Sequence, residues 1–198
     1  MSEDNSSFLF NLIAPVYGLF YYRQKKRFAK VLENAKEELN LSSFHTILDV
    51  GCGTGSLCGV LNEKGLAVTG IEPAKKMYGI AKRNAKNTSI KILKGNVLKT
   101  LPFTNKSFDI VIASYVAHGL CAADRMRMYI EMSRVTKHWV VIYDYNAKRS
   151  IMTTIIEWLE GGDYFRFIKN AEDEMKICFS EVRVVNVDDK AAWYLGKA

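Results

Sequence analysis

The sequence predicts an α/β fold: a doubly wound, mostly parallel seven-stranded sheet that ends in an antiparallel hairpin. Three observations carry this prediction. Short apolar runs alternate with longer helical stretches from about residue 46 onward, a glycine-rich turn joins the first such run to a helix, and residues 181–198 hold two strand-like runs around a polar turn. Parallel strands need a crossover between them, usually a helix, so regular alternation of the two periodicities is the signature of a parallel sheet.

Taken in order, residues 24–39 read as a charged amphipathic helix that follows an aromatic N-terminal stretch. Thr46 to Val50 is the first strand and Gly55 to Lys64 the helix after it. Ala67 to Ile71 is the second strand, followed by a helix from Ala74 to Ala85, and Ile90 to Leu93 is the third. Phe108 to Ser114 contains the unbroken run Ile110-Val111-Ile112, as expected of a strand covered on both faces. A helix over 122–135 leads to a fifth strand, Trp139 to Tyr143. Glu181 to Val187 and Ala191 to Gly196, joined at Asp188-Asp189-Lys190, form the closing hairpin. The organisation expected is a single domain over 1–198. It comprises a helical lid segment (1–40), a core (45–145), a helical insertion (146–180) bearing Trp158, Tyr164, Phe165 and Phe167, and the hairpin (181–198).

Composition narrows the class. With 48% hydrophobic and 25% charged residues in 198, the chain has the balance of an ordinary globular domain and can bury a core without metals or disulfides. Cys52, Cys58, Cys121 and Cys178 show no Cys-x-x-Cys and no histidine at metal-ligand spacing, so no metal site is expected and reduced thiols in a cytoplasmic protein fit best. The apolar stretch from Phe8 to Tyr22 is broken by Asn11, Pro15 and Gly18, which argues against a signal peptide or a membrane span. Net charge is +7, read first as a solvated lysine-rich surface and second as a field for an anionic partner.

The chemistry is concentrated in Leu48-Asp49-Val50-Gly51-Cys52-Gly53-Thr54-Gly55-Ser56-Leu57, placed where a strand turns into a helix. Glycines there let a ligand approach the backbone, and a bulky side chain at Gly51 or Gly53 would fill the space that ligand needs. The spacing is G-x-G-x-G, with Ser56 where a dinucleotide fingerprint wants glycine, so nicotinamide chemistry is the weakest reading. Glu72, about twenty residues further on at the end of the second strand, stands where such folds place a carboxylate on ribose hydroxyls. The competing reading is an acid that merely suits a helix start.

Asp-Val-Gly-Cys-Gly-Thr-Gly, then Gly70-Ile71-Glu72-Pro73, then Leu101-Pro102-Phe103-Thr104-Asn105-Lys106-Ser107-Phe108-Asp109-Ile110-Val111 together resemble the class I, Rossmann-like S-adenosylmethionine-dependent methyltransferases. Within them the chain is most similar to the broad small-molecule group that includes ubiquinone- and menaquinone-biosynthesis methyltransferases. The resemblance runs from about Ile47 to Asp144; Ile13-Ala14-Pro15-Val16-Tyr17 also looks like that group's opening segment. It implies S-adenosyl-L-methionine as cofactor and S-adenosyl-L-homocysteine as product. Gly51, Cys52, Gly53, Thr54 and Gly55 would pass under the methionine part, and Asp49 would approach its amino group. Glu72 would hold the ribose, Pro73 and Met77 would lie against the adenine, and Asn96 and Val97 stand where the family has an acid and an apolar residue. Ser114 would lie beside the reacting methyl. Lys137-His138-Trp139 replaces the family's Lys-Pro-Gly-Gly, which suggests a tighter loop there.

A sulfonium methyl is already electrophilic, so the protein's share is alignment, exclusion of water and, for an oxygen nucleophile, a base. His118, Tyr115 and Tyr17 are the candidates for that help; each also reads as ordinary packing. The aromatic segments Phe8–Tyr22 and Trp158–Phe167 would wall a flat or apolar small-molecule acceptor. Three alternatives stay open. One is an RNA or other macromolecular substrate, although no Asn/Asp-Pro-Pro-Tyr follows the fourth strand. Another is a binder of the cofactor that transfers nothing. The third is peripheral contact of Phe8–Tyr22 and Arg23–Arg27 with an anionic membrane. The acceptor atom and the oligomeric state have no signature in the sequence.

Overall fold

The computed structural model describes residues 20–146 and 164–198. Seven strands form one sheet in the order β3-β2-β1-β4-β5-β7-β6. It is the mixed sheet expected, parallel except for a C-terminal antiparallel hairpin. The described residues divide after Leu101 into two compact units.

The first unit opens with α1 (Tyr21–Asn34), whose buried side is Val31 and Leu32. It starts three residues earlier and ends five earlier than the periodicity predicts. Beyond the cap at Ala35 the chain continues in turns, and the Asn40 side chain accepts from the Ser42 amide at 3.1 Å to start a short 3-10 turn, Leu41–Ser43. β1 (Thr46–Val50) pairs in parallel with β2 (Ala67–Glu72), which pairs in parallel with β3 (Lys91–Lys94). Between β1 and β2 runs α2 (Ser56–Glu63), buried continuously from Ser56 to Leu61, as a helix apolar on all sides must be. α3 (Lys75–Asn84) buries only Met77 and Ala81.

In the second unit β4 (Phe108–Ser114) is buried over its first six residues and pairs in parallel with β5 (Thr136–Tyr145). Between them lie a 3-10 turn, Ala117–Gly119, and α4 (Ala122–Val135). The predicted tighter loop at Lys137-His138-Trp139 is corrected: the helix ends at Val135 and all three residues belong to β5. A register shift between Phe108 and Ile110 allows this early entry into the ladder. α5 (Tyr164–Cys178) then precedes β6 (Glu181–Asp188) and β7 (Ala191–Lys197), the hairpin read from the sequence. β7 also pairs antiparallel with β5, which places Trp193, Tyr194 and Leu195 in the core.

Arg125 of α4 is fully buried and meets Glu174 of α5 through Nε and Nη2 at 2.6 and 2.7 Å. Its Nη1 donates to the Leu120 carbonyl at 2.6 Å. Such a two-pronged pair satisfies the donors that burial would otherwise leave costly.

Candidate functional site

The turn after β1 adopts the left-handed conformation at three glycines, with φ of 69° at Gly51, 55° at Gly53 and 79° at Gly55. Side chains rarely adopt these angles, which is why the sequence spends glycine there. The amides of Gly51 and Cys52 donate to the Ile71 carbonyl at 2.9 and 3.1 Å, fastening the turn to the end of β2. A Cβ built on Gly53 meets nothing within 4 Å, so the loop presents an open cradle at that residue.

Two buried carboxylates adjoin the turn, Glu72 at the end of β2 and Asp49 in β1 two residues before Gly51. Glu72, 5% exposed, accepts from the Gly53 amide at 2.9 Å and from the Ala74 amide at 2.8 Å. Burial raises its pKa, and those two amides oppose the rise. Asp49 is fully buried. Its Oδ2 accepts from the Cys58 thiol at 3.2 Å, while its Oδ1 has no hydrogen-bond partner. Burial pushes Asp49 up to about 7, against the Cys58 hydrogen bond and with a smaller push from Glu72. Gly70 of β2 makes this packing possible: a Cβ there would lie 2.9 Å from both the Cys52 and Cys58 sulfurs. A buried carboxylate oxygen without a donor is unusual, and a cationic or hydrogen-bonding ligand group would complete it.

The loop is held on its flanks. Gln24 of α1 accepts from the hydroxyls of Thr54 and Ser56 at 3.3 and 3.2 Å, and Asn84 at the end of α3 donates to the Thr54 carbonyl at 2.9 Å. Of the remaining cofactor candidates, Met77 is buried against Ala74 with Ile80 alongside, Val97 is buried and Pro73 is exposed. The Asn96 oxygen accepts from the Leu98 amide at 2.9 Å, closing its own turn.

In the second unit the end of β4 carries Ser114, half-buried, and then Tyr115 with φ of 55°. A left-handed tyrosine is strained, and its amide is fixed to the Tyr143 carbonyl at 2.8 Å. His118 stands in the 3-10 turn with Nδ1 2.8 Å from Asp144 Oδ1. Asp144 is fully buried and also accepts from the amides of His118 (3.2 Å) and Tyr145 (2.9 Å). A carboxylate only accepts, so the bond to His118 puts the ring hydrogen on Nδ1. Tyr115, Tyr143 and Tyr145 surround this pair, with edge-to-face ring separations of 4.9 to 5.2 Å between His118 and Tyr145 and among the tyrosines. The third base candidate, Tyr17, and the aromatic Trp158 lie outside the described residues.

Sequence reasoning missed Asp144, Cys58 and Gln24. Asp144 did leave a trace, as an acid at the C-terminal end of an apolar strand, the end where open α/β sheets bind ligands.

Sheet order, left-handed glycine turn and buried acid at the end of β2 define the class I methyltransferase fold. Residues 48–142 match the family described as methyltransferase domain. The chain is 34% identical over 100 residues to an uncharacterized methyltransferase of Alkaliphilus oremlandii, covering 50% of this chain and 44% of the relative. It is 35% identical over 98 residues to a demethylmenaquinone methyltransferase of Tropheryma whipplei, covering 44% and 39% respectively. The chain thus spans less than half the length of either relative. In fold it resembles the magnesium protoporphyrin IX methyltransferase of Synechocystis, solved with bound S-adenosylhomocysteine. The TM-score is 0.61 at 14% identity, over 88% of this chain and 83% of that one.

Proposed function

We propose that this chain, as a single domain over 1–198, transfers a methyl group from S-adenosylmethionine to a small apolar or aromatic acceptor by in-line displacement. The observation that carries the reading is the open cradle at Gly53 together with the buried, half-satisfied carboxylate of Asp49 two residues before the turn. The cofactor supplies a methyl on positively charged sulfur. Asp49 Oδ1 takes the amino group of the methionine part, and Gly51, Cys52, Gly53, Thr54 and Gly55 give that part a surface without side-chain collision. Glu72 takes the ribose hydroxyls, exchanging its bond to the Gly53 amide for them. Pro73, Met77, Asn96 and Val97 border the adenine, and Ser114 borders the methyl.

On the acceptor side, His118 held by Asp144 receives the proton of an O–H acceptor, and Tyr115 and Tyr17 contribute orientation. Support for a small acceptor comes from relatives named for quinone substrates and a fold neighbour named for a porphyrin. Cytoplasmic location accords with four free cysteines. Among the described residues no helix is long and apolar enough to cross a membrane.

Thermal unfolding with and without S-adenosylmethionine tests the cofactor half. Ligand at a hundred times its dissociation constant contributes about 2.7 kcal/mol, a shift on the order of 5–10 °C for a domain near this size. Gly53→Val should abolish the shift and Glu72→Ala should reduce it, while nicotinamide cofactors give none. Absence of a shift at saturating S-adenosylmethionine would sink the proposal.

A further inference from the structure

The net positive charge of this chain lies in one half. Residues 2–101 hold fifteen Lys and Arg against eight Asp and Glu, and residues 102–198 hold thirteen against thirteen, so the whole net charge of +7 belongs to the first. From Pro73 to Leu101 there are eight basic residues and no acid. All eight are exposed, and Lys75, Lys82, Arg83, Lys86, Lys91 and Lys94 make no ion pair with any described residue.

These cations are arranged, not scattered. Lys75 and Lys82 are two helical turns apart, about 10.5 Å along α3, and Lys76 and Arg83 repeat that offset one position on. Lys86 extends the row past the helix end. Beside it lies an open groove of about 350 Å³, with Lys82, Arg83 and Lys86 on its sides and Ile90 and Ile92 among its lining. Lys91 and Lys94 continue the charge along the edge strand β3. Local stability does not account for this. Lys75 and Lys76 open a helix with no acid in its first turn, where the helix dipole disfavours cations by some tenths of a kcal/mol each.

We propose that α3 and β3 form a docking surface for single-stranded RNA, with the lysine row on its phosphodiester backbone and the Ile90–Ile92 groove receiving a base. A basic stripe along a helix in a chain of pI near 9.2 is the electrostatic footprint of such binding. An anionic membrane is the poorer fit, because interfacial binding needs an apolar face and Leu93 is the one large apolar side chain this stretch exposes. The surface is independent of the methyl acceptor's identity and leaves Asp49, Gly53 and Glu72 untouched.

Binding of a labelled oligouridylate, followed by anisotropy across salt concentrations, tests it. About four neutralised phosphates give a log–log salt slope near −2.8, a loss of roughly fifty-fold between about 50 and 200 mM salt. Replacing Lys82, Arg83 and Lys86 together by Gln should make the slope shallower by about 2 and weaken low-salt binding at least about tenfold. The same triple should keep the parent's circular dichroism and its thermal shift with S-adenosylmethionine, which separates loss of docking from misfolding. Replacing Lys106, Arg166 and Lys169 by Gln removes equal charge from the neutral half and should change binding less than about twofold. Equal weakening by the two triples, no binding at low salt, displacement by polyglutamate at equal charge, or capture by phosphatidylserine vesicles in preference to RNA would each overturn the assignment.

Discussion

Asp49 is the residue whose surroundings carry the sharpest consequence. Its carboxyl holds its proton up to about pH 7 in the folded chain against an ordinary value near 3.8. The folded state therefore binds that proton more tightly than the unfolded one. This contribution to stability is fully present below about pH 3.8 and is lost as pH rises through about 7, the reverse of a salt-bridged acid. Ligand affinity should run the other way, since an ammonium group gains most from the ionised carboxylate. From about pH 6 to about pH 7.5 the ionised fraction rises about eightfold while a free α-amino group stays mostly charged, so calorimetric affinity for S-adenosylmethionine should rise by about that factor. Asp49→Asn should flatten the profile; an unchanged slope in that variant would remove Asp49 from the amino-group role. The acid itself was legible, because it precedes the glycine spacing by two residues. Its thiol partner was not: Cys58 reaches Asp49 only because Gly70, on the neighbouring strand, has no Cβ to displace the sulfur.

Among elements, those with strong periodicity were read almost to the residue. β4 is an unbroken apolar run, and α4 is bounded by Cys121 before it and Thr136 after it. β5 was read too short, since Thr136, Lys137 and His138 are polar and only the ladder to β4 makes them strand. His118 and Asp144 were not legible as a pair because they are 26 residues apart and meet only through the pairing of β4 with β5. The α4–α5 contact was invisible for the same reason. There Arg125 is wholly buried, so truncation strands the Glu174 carboxylate and empties the space the guanidinium fills. Arg125→Ala should therefore cost about 3–5 kcal/mol, read as a lower urea midpoint at unchanged slope. A loss below about 1 kcal/mol would mean that the pair is an ordinary surface bridge.

For the molecule as a whole, the four thiols report on opening. Cys121 is exposed, Cys178 half-buried, and Cys52, in the glycine turn, and Cys58, in α2, are buried. A thiol reagent should modify Cys121 at once, Cys52 and Cys58 only when their unit opens. S-adenosylmethionine at a hundred times its dissociation constant should slow the buried pair about a hundredfold and leave Cys121 unaffected, as mass spectrometry of the labelled peptides would show. Equal protection of Cys121 would place the ligand elsewhere. The glycine turn itself is tied to α1 by Gln24, to α3 by Asn84 and to β2 by the Ile71 carbonyl, so three separate stretches of chain fix its shape. Its ordering entropy is spent during folding rather than at the moment of association. The proposed seat is thus formed in the protein without a ligand, so on that proposal spent cofactor leaves without the turn having to melt. Under the proposed function, exchange of product for fresh cofactor then depends on breaking contacts with the ligand, not on rebuilding the protein around it.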